Sequence, residues 1–474
     1  MSRVAREAPA FEEAVPVAIV GAGAAGLVAA LAAREAGAEV LVLERDALPR
    51  GSTALSAGLV PAAGTRWQRE AGIADDPRRF AADILAKAAG EPDPGAVAAL
   101  TEAVGLALEW LADRHGLPLG LVDVDYPGHA ARRMHGLPSG SGEELIDRLR
   151  TAAEAADIPL VTDAHATALF ADASGRVLGL EIARPDGARE RIGCEVLVLA
   201  CNGYGGNPSL VRRHVPELAG ALYFGHPGNQ GDALAWGEAL GAATRHLSGH
   251  QGHGSVAHPH GILVTWAVMM EGGIQVNAAG ERFSDETKGY SEQAALVLAQ
   301  PGGTAVNLFD ERIAARARTF EDFRRAEAAG AVLAADTIEA LAGRLGLPAD
   351  ALARTLAEAE ALKGSGGADR FGRAFAGAPP LVPPYRAVRV TGALFHTQGG
   401  LVVDAGARVL RPDGTPLPNL LAAGGAACGV SGSQPSGYLS GNGLLTAVGY
   451  GRLAGQAAAG MVSGAGSSDG PGIA

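Results

Sequence analysis

One stretch, residues 16–44, constrains the fold of this chain more than any other. The apolar and mostly β-branched run at 17–20 predicts a buried parallel strand. Residues 27–35 place alanine and leucine at helical spacing, and 39–43 form a second apolar run. A strand, a helix and a second strand in this order predict the first βαβ unit of a doubly wound α/β domain.

The turn inside this unit carries a specific glycine pattern. Gly21, Gly23 and Gly26 form G-x-G-x-x-G, and Glu44 follows the second strand. The first glycine allows the tight turn, the second lets a pyrophosphate approach the backbone, and the third lets helix and strand pack closely. The free N–H groups of the helix favour phosphate, and a carboxylate at position 44 can accept both hydroxyls of a ribose. The stretch therefore predicts a dinucleotide site.

Composition limits the remaining classes of function. A chain of 474 residues with 47% hydrophobic residues can bury more than one core, which favours two domains. The net charge of −12 argues against nucleic acid or an anionic membrane as partner. Three cysteines without C-x-x-C spacing predict no iron–sulfur cluster, zinc finger or c-type haem attachment.

Location and metal binding are predicted from what the sequence lacks. The first fifteen residues have no apolar core typical of a signal peptide, and no apolar run predicts a membrane span, so we expect a cytoplasmic protein. Five histidines crowd residues 246–260. Their spacing fits no familiar ligand set, so we predict no metal site and interpret them as the lining of a polar cavity or as a surface loop.

The rest of the chain predicts two domains. A change of composition near 226 and the PPLVPP segment before 385 suggest an α+β substrate or cap domain at 226–385, inserted into a cofactor domain formed by 1–225 and 386–474. Small residues at 51–58 predict a backbone cradle for a flat ligand. Further helices are predicted at about 80–115, 140–156, 335–363 and 442–460, a hairpin at 161–183 and an apolar strand at 196–200.

Several segments together resemble the flavoproteins of the fumarate reductase and 3-ketosteroid dehydrogenase superfamily over nearly the whole chain. The resemblance implies an FAD-binding domain of the Rossmann type. It is specific for the superfamily and much less specific for the substrate. The matching segments are 21–44, 51–58, 200–204 (ACNGY), 225–233 (GHPGNQGDA), 280–286 (GERFSDE), 396–401 (HTQGGL), 420–425 and 440–442.

The departures from the family concern the reacting positions. Fumarate reductases carry one arginine that delivers a proton and another that clamps a substrate carboxylate; the matching places here hold Tyr290 and Tyr438. The ketosteroid dehydrogenases have tyrosines at similar places, and a third that Tyr126 resembles. A phenol can donate to a carbonyl oxygen or, with a lowered pKa, accept a carbon-bound proton. Each tyrosine taken alone could equally be a half-buried packing residue.

The cofactor site also departs from the pattern. Gly424 and Gly425 stand where the family has a glutamate, so a contact to the ribityl chain is missing. The loop at 52–58 lacks the histidine that links flavin covalently in some members, so FAD is expected to be bound non-covalently. The helix at 442–460, placed as in the family, would direct its N-terminal N–H groups at the flavin O2 edge. The resemblance implies as FAD-binding residues Gly21, Gly23, Ala25, Gly26, Glu44, Arg45, Ser52, Thr53, Ser56, Gly58, Ala166, Asn202, Gly203, Asp232, Gly424, Gly441, Asn442 and Leu444.

The resulting prediction is an FAD-dependent desaturase of a cyclic ketone, either a 3-ketosteroid or a small cyclohexanone such as 4-oxocyclohexanecarboxylate. Tyr438 would polarise the carbonyl, Tyr290 would take the α-proton, and Tyr126 would lower the pKa of Tyr290. Ser440 and His396 complete the predicted catalytic set, with His396 as a substrate contact or an ordinary core histidine. Oxygen, a quinone or a dye-like molecule would reoxidise the flavin. An ene-reductase acting on an unsaturated carboxylate or enone, or a redox-silent flavin protein, are the alternatives.

Overall fold

A computed structural model describes residues 3–6, 10–375 and 377–465. Residues 1–2 and 7–9 of the N-terminus, residue 376 in the predicted cap domain, and 466–474 at the end of the predicted cofactor domain lie outside the described residues. The chain divides into two compact units. The first unit is formed by Met1–Val215, Gly225–His250 and His396–Ala474, and the second by Pro216–Phe224 and Gln251–Phe395.

The helices and strands are numbered along the whole chain. The helices are α1 (Ala24–Glu35), α2 (Gly51–Ala54), α3 (Arg66–Glu70), α4 (Pro77–Lys87), α5 (Pro94–His115), α6 (Gly142–Ala155), α7 (Pro208–His214), α8 (Asp232–Leu240), α9 (Ala267–Met270), α10 (Tyr290–Leu298), α11 (Glu311–Ala317), α12 (Glu321–Ala328), α13 (Ile338–Leu345), α14 (Ala349–Ser365) and α15 (Asn442–Ala465). The strands are β1 (Arg3–Ala5), β2 (Glu13–Val20), β3 (Val40–Leu43), β4 (Val60–Pro61), β5 (Gly120–Leu121), β6 (Met134–Gly136), β7 (Leu160–Val161), β8 (His165–Ala171), β9 (Val177–Ala183), β10 (Arg189–Leu199), β11 (Leu222–Tyr223), β12 (Thr244–Arg245), β13 (His250–Ala257), β14 (Ile262–Leu263), β15 (Ile274–Val276), β16 (Thr304–Asp310), β17 (Val332–Ala335), β18 (Tyr385–Thr397), β19 (Gly400–Leu401), β20 (Arg408–Leu410) and β21 (Pro416–Ala422).

The first unit is built on a nine-stranded sheet. Its parallel part runs β21, β10, β2, β3 and β7, and the strand order continues from β10 through β9 and β8 to β1. The residues of β2 at 17–20 are at most 6% exposed, which explains their uniformly apolar sequence. The parallel sheet with helices packed on it confirms the predicted doubly wound α/β class. The hairpin of β8 and β9 confirms the pattern at 161–183.

Two predicted helices are each divided into two. The stretch 80–115 forms α4 and α5, because Asp93 accepts a hydrogen bond from Ala96 N and Pro94 opens a new helix. The stretch 335–363 forms α13 and α14, because Gly346 takes φ +68° and ends α13. The sequence carries a stop signal at each break, GEPDP at 90–94 and Gly346 followed by Pro348, which the prediction of one continuous helix did not use.

Helix α5 is apolar along most of its length. Among the described residues it is the helix that could cross a membrane, by its length and by the composition of its most apolar 18-residue window alone. Half of that window is buried, and Leu100, Val104, Leu108 and Leu111 are at most 1% exposed. The helix packs against α4 and α15, as the core helix of a globular unit does.

The second unit contains a mostly antiparallel sheet and its own apolar core. The strand order is β14, β13, β18, β16 and β15, with β11 and β17 also pairing with β18. The unit's borders differ from the boundaries 226 and 385 expected from composition. Residues Gly225–His250 group with the first unit, where α8 packs against β1 and β19. Strand β18 runs unbroken from Tyr385, so the segment up to Phe395 stays with the second unit.

Candidate active site and cofactor cradle

The glycine turn after β2 is shaped by close backbone approach. Gly21 has φ +104°, and its N–H donates to Leu43 O at 2.8 Å. A Cβ on Gly26 would lie 1.8 Å from Gly21 O, so no side chain fits there. A Cβ on Gly23 would have only Thr53 Oγ1 near it, at 3.5 Å. Packing within the protein therefore explains Gly26, whereas the glycine at 23 leaves open space of the kind a pyrophosphate fills.

The acidic residue after β3 lies at the same turn. One oxygen of Glu44 accepts the N–H of Ala22 at 2.9 Å, and the other accepts the N–H of Asp46 at 3.1 Å. At the first turn of α1, Ala24 N–H donates to Thr53 Oγ1 at 3.0 Å. These groups form a cradle with a fixed carboxylate at one side and a helix N-terminus at the other, which fits the ribose and phosphates of FAD.

The segment after Glu44 is tied to a second loop of the first unit. Ser52 lies in the short helix α2, where the sequence suggested a loop, and its Oγ accepts from Asn229 Nδ2 at 2.9 Å and from His226 N at 3.3 Å. Arg45 donates to Gly228 O at 2.8 Å. These bonds hold the loop at 226–229 beside the predicted cofactor cradle, which explains why this loop groups with the first unit.

A left-handed residue lies after β10. Asn202 has φ +66°, and its Oδ1 accepts the N–H of Gly203 at 2.8 Å. A Cβ on Gly425 would lie 2.1 Å from that oxygen, so the Asn202 side chain occupies the space beside residue 425. Gly424 has φ +61°, and a Cβ added to it would lie 3.1 Å from the Cβ of Ala25. The asparagine at 202, where the family has another residue, therefore requires a glycine at 425, because the Asn202 side chain fills the space that a side chain at 425 would need.

The remaining predicted cofactor residues all belong to the first unit. Ser56 donates to Thr53 O at 2.7 Å and accepts the N–H of Gly58 at 3.1 Å. Ala166 is buried at the start of β8, two residues after Ala164, whose N–H donates to Glu44 O. The helix-start residues are Asp232 on α8, and Gly441, Asn442 and Leu444 at the beginning of α15.

Tyr438 lies four residues before the first residue of α15, Asn442. Its side chain is buried, and burial raises the pKa of its phenol, while hydrogen bonds from the backbone N–H groups of Gly443 and Gly441 act in the opposite direction. The Tyr438 ring meets the His396 ring edge to face, with centroids 5.5 Å apart. The phenol therefore keeps its proton at neutral pH, and its oxygen lies beside two backbone donors.

A loop of the first unit carries Tyr126 and approaches the same segment. His129 Nε2 donates to Ser440 O at 3.0 Å, and burial lowers the pKa of His129 to about 4. A Cβ on Gly128 would lie 2.7 Å from Leu439. Burial raises the pKa of Tyr126, which keeps this phenol protonated as well.

His396, the second-last residue of strand β18, also belongs to this group. A Cβ on Gly443 would lie 2.9 Å from its Nε2, so the ring lies against the first turn of α15. Gln398 Nε2 lies 2.8 Å from Nδ1. Burial lowers the pKa of His396 to about 4, so the ring is neutral at pH 7. In the first unit, the structure thus brings together Tyr438, Ser440 and His396 and places the Tyr126 loop beside them.

Tyr290 belongs to the second unit and opens α10. Its ring stacks on His253 with centroids 4.9 Å apart and an interplanar angle of 22°, and it meets Trp266 edge-on at 6.5 Å. His253 in turn stacks on Phe395 at 5.3 Å. Burial lowers the pKa of His253 to about 3, so this histidine is neutral. Tyr290 is thus held in an aromatic column.

The segment before Tyr290 is fixed by a buried ion cluster. Arg282 Nε donates to Glu286 Oε1 at 3.0 Å, and Arg373 donates to Oε2 at 2.9 Å. Gln275 N–H also donates to Oε1, at 2.8 Å. Because the carboxylate is 0% exposed and bonded by three groups, it orients the chain that leads into α10.

Comparison with known proteins gives the family. The profile of the FAD binding domain family matches residues 16–444, most of the chain. The chain belongs to the fumarate reductase and succinate dehydrogenase flavoprotein superfamily. This flavoprotein is an FAD-dependent oxidoreductase of the kind that acts on carbon–carbon bonds.

Three relatives show the range of this family. Probable fumarate reductase Ifc3 of Shewanella frigidimarina (strain NCIMB 400) is 30% identical, over 94% of this chain and 75% of its own length. A 4-oxocyclohexanecarboxylate 2-dehydrogenase of Sinomonas cyclohexanicum is 27% identical, over 94% and 93%. The 3-ketosteroid Δ4-(5α)-dehydrogenase of Rhodococcus jostii RHA1 is 26% identical, with TM-score 0.76 and coverage of 96% and 99%.

The flavoprotein's site contains residues that the sequence analysis did not find. Gln398, Ser431 and His129 were missed. Gln398 lies inside the matching segment 396–401, but the sequence does not show that its side chain bonds His396 and Ser431. The partners of Ser431 and His129 lie in other segments of the chain. The five histidines at 246–260 are not grouped as ligands, and among the described residues no cluster of three or more His, Cys, Asp or Glu could hold a metal.

Proposed function

We propose that this flavoprotein desaturates a cyclic ketone beside its carbonyl group. The observation that carries the proposal is the position of Tyr438, a protonated phenol whose oxygen lies at the N–H groups of Gly441 and Gly443. A neutral donor beside two backbone donors suits a ketone oxygen, whereas a carboxylate is better matched by the arginine that fumarate reductases carry at this place.

The residues of the chain would act as follows. Tyr438 and an N–H of the α15 N-terminus would donate to the carbonyl oxygen, which makes the α-hydrogen acidic as enolate charge develops. Tyr290 would take the α-proton as general base. When bound, FAD would accept the hydride from the β-carbon and pass the electron pair to a diffusible acceptor such as oxygen, a quinone or a dye. The products are the enone and a reduced acceptor.

Two similarities support the ketone class. The chain spans 93% of the 4-oxocyclohexanecarboxylate dehydrogenase and 99% of the ketosteroid dehydrogenase chain, so both can be compared over nearly their whole length. The aromatic neighbours of Tyr290 also support it, because His253 and Trp266 make the surroundings of the proposed base apolar, as a hydrocarbon substrate requires. Both a small cyclohexanone and a 3-ketosteroid fit this proposal.

The second candidate is an ene-reductase that adds hydrogen to an unsaturated carboxylate or enone. The 30% identity to Ifc3 favours it. The two tyrosines weaken it, since neither can pair with a carboxylate as an arginine does. The two functions differ in electron flow. Faster reduction of the flavin by NADH, with an alkene as acceptor, would support the ene-reductase.

Replacing the proposed base tests the mechanism. Tyr290→Phe keeps the stacked ring and removes the group that takes the proton, so ketone-dependent bleaching of the flavin should slow by about 10²–10⁴-fold. Exchange of the ketone's α-deuterium with solvent should almost vanish, while FAD content stays normal. Tyr385→Phe, a half-buried tyrosine elsewhere in the second unit, is the matched control. Wild-type bleaching in Tyr290→Phe would show that the phenol is only a packing residue.

A further inference from the structure

Four side chains form one hydrogen-bonded chain in the first unit. Asn442 Nδ2 donates to Ser431 Oγ at 2.9 Å, and Ser431 Oγ donates to Gln398 Oε1 at 2.6 Å. Gln398 Nε2 then lies 2.8 Å from His396 Nδ1, closer than the carbonyl oxygen of Thr397, which lies 3.5 Å from the same nitrogen. Gln398, Ser431 and Asn442 are at most 5% exposed, so water does not compete for these bonds.

The direction of this chain fixes the proton on the imidazole. A serine hydroxyl has one proton, and Ser431 gives it to the amide oxygen of Gln398. The amide nitrogen, which has protons only to donate, therefore faces His396 Nδ1. A neutral imidazole that accepts at Nδ1 carries its proton on Nε2.

The protonated nitrogen is aimed at the candidate active site. A Cβ added to Gly443 would lie 2.9 Å from His396 Nε2, so that nitrogen lies against the first turn of α15. The Tyr438 ring is its neighbour at 5.5 Å. Two neutral donors, a phenol and an imidazole N–H, thus lie together at the N-terminus of one helix.

We propose that Gln398 is a positioning residue that holds His396 as the neutral Nε2–H tautomer, so that His396 serves as a hydrogen-bond donor and not as the base. The only lone pair of the neutral ring, on Nδ1, is already engaged by Gln398. A ketone oxygen would receive this N–H beside the Tyr438 hydroxyl. The identity of that acceptor rests on the proposed function, whereas the tautomer itself does not.

Nitrogen NMR of the FAD-loaded enzyme with ¹⁵N-labelled histidine tests the proposal without any ketone present. The His396 signals are assigned by their loss in His396→Gln. At neutral pH we expect a pyridine-like Nδ1 and a pyrrole-like Nε2. A pyrrole-like Nδ1 in the wild-type enzyme would overturn the proposal. Because no substrate is added, this outcome is independent of whether a ketone is oxidised.

Two variants test the role of Gln398 itself. Gln398→Glu places a carboxylate that can only accept, so Nδ1 should become protonated and its signal should become pyrrole-like. Gln398→Met removes the donor at similar length, so both tautomers should appear. Gln434→Glu, an exposed glutamine of the same unit, is the control and should leave the His396 signals unchanged. An unchanged His396 spectrum in Gln398→Glu would refute the role of Gln398. If Gln398→Met does not fold, Ser431→Ala, which frees the Gln398 amide to turn, should give the same mixture.

Discussion

The substitution Tyr438→Phe removes a single oxygen from the centre of the candidate site. The ring stays against His396, but the hydroxyl beside the N–H groups of Gly441 and Gly443 is lost. If this hydroxyl donates to the ketone oxygen as enolate charge develops, its loss resembles the loss of one oxyanion donor. The expected cost is about 2.7–4 kcal/mol of transition-state stabilisation, or about 10²–10³-fold in rate.

The assay is the anaerobic bleaching of bound FAD by ketone in a rapid-mixing spectrometer. Ketone binding should weaken as well, because the carbonyl loses a partner before reaction begins. The α-deuterium of the ketone should still exchange with solvent, more slowly than with the wild type, since Tyr290 remains. The two backbone N–H groups lose an acceptor, so the free energy of unfolding should fall by about 1–3 kcal/mol.

Tyr450→Phe is the matched control. Tyr450 is also buried on α15, and burial raises the pKa of its phenol too, but it packs in the apolar core of the first unit. This variant should bleach at the wild-type rate. A wild-type rate for Tyr438→Phe, or an equal loss in both variants, would refute the assignment of the carbonyl donor to Tyr438.

Three further predictions concern the cofactor and stability. Glu44→Ala should weaken FAD binding by roughly 1–3 kcal/mol, measured by equilibrium dialysis. Acid treatment of the wild-type protein should release all of its flavin as free FAD. Gly425→Ala should weaken FAD binding by about 1–3 kcal/mol, because the added methyl group would clash with Asn202. Adding Asn202→Gly should restore the FAD affinity, and an affinity that stays low in the double variant would show that the two positions are not coupled. Burial lowers the pKa of His135 to about 4 and of His253 to about 3 from 6.5, so the unfolded chain binds more protons below pH 6.5. The free energy of unfolding should therefore drop by about 2 kcal/mol per histidine between pH 7 and pH 5, and equal denaturant midpoints at the two pH values would contradict this.

The sequence predicted those parts of the fold that depend on neighbouring residues. The turn at Gly21–Gly26 and the strand 17–20 follow from local spacing, and both lie where the pattern put them. The breaks between α4 and α5 and between α13 and α14 were missed, although GEPDP at 90–94 and Gly346 with Pro348 mark them, because the apolar residues on both sides suggested one long helix.

The candidate site was predictable only in part. His396 stood out because it lies in a family segment and Tyr438 because it replaces an arginine of the fumarate reductases, and the structure brings the two rings together. The roles of Gln398 and Ser431 could not be found this way, since the bond that joins them spans 33 positions and no local period marks it. Burial, which sets the pKa of each ring, is likewise a property of packing across the whole unit.

Anaerobic mixing of the FAD-loaded enzyme with 4-oxocyclohexanecarboxylate or a 3-ketosteroid tests the central claim most directly. The proposed function predicts that at least one of these ketones bleaches the flavin and leaves as its enone, two hydrogens lighter by mass spectrometry. A flavin that stays oxidised with every cyclic ketone, but reduces fumarate or another unsaturated carboxylate after its own reduction by NADH, would contradict the proposal and make the protein an ene-reductase.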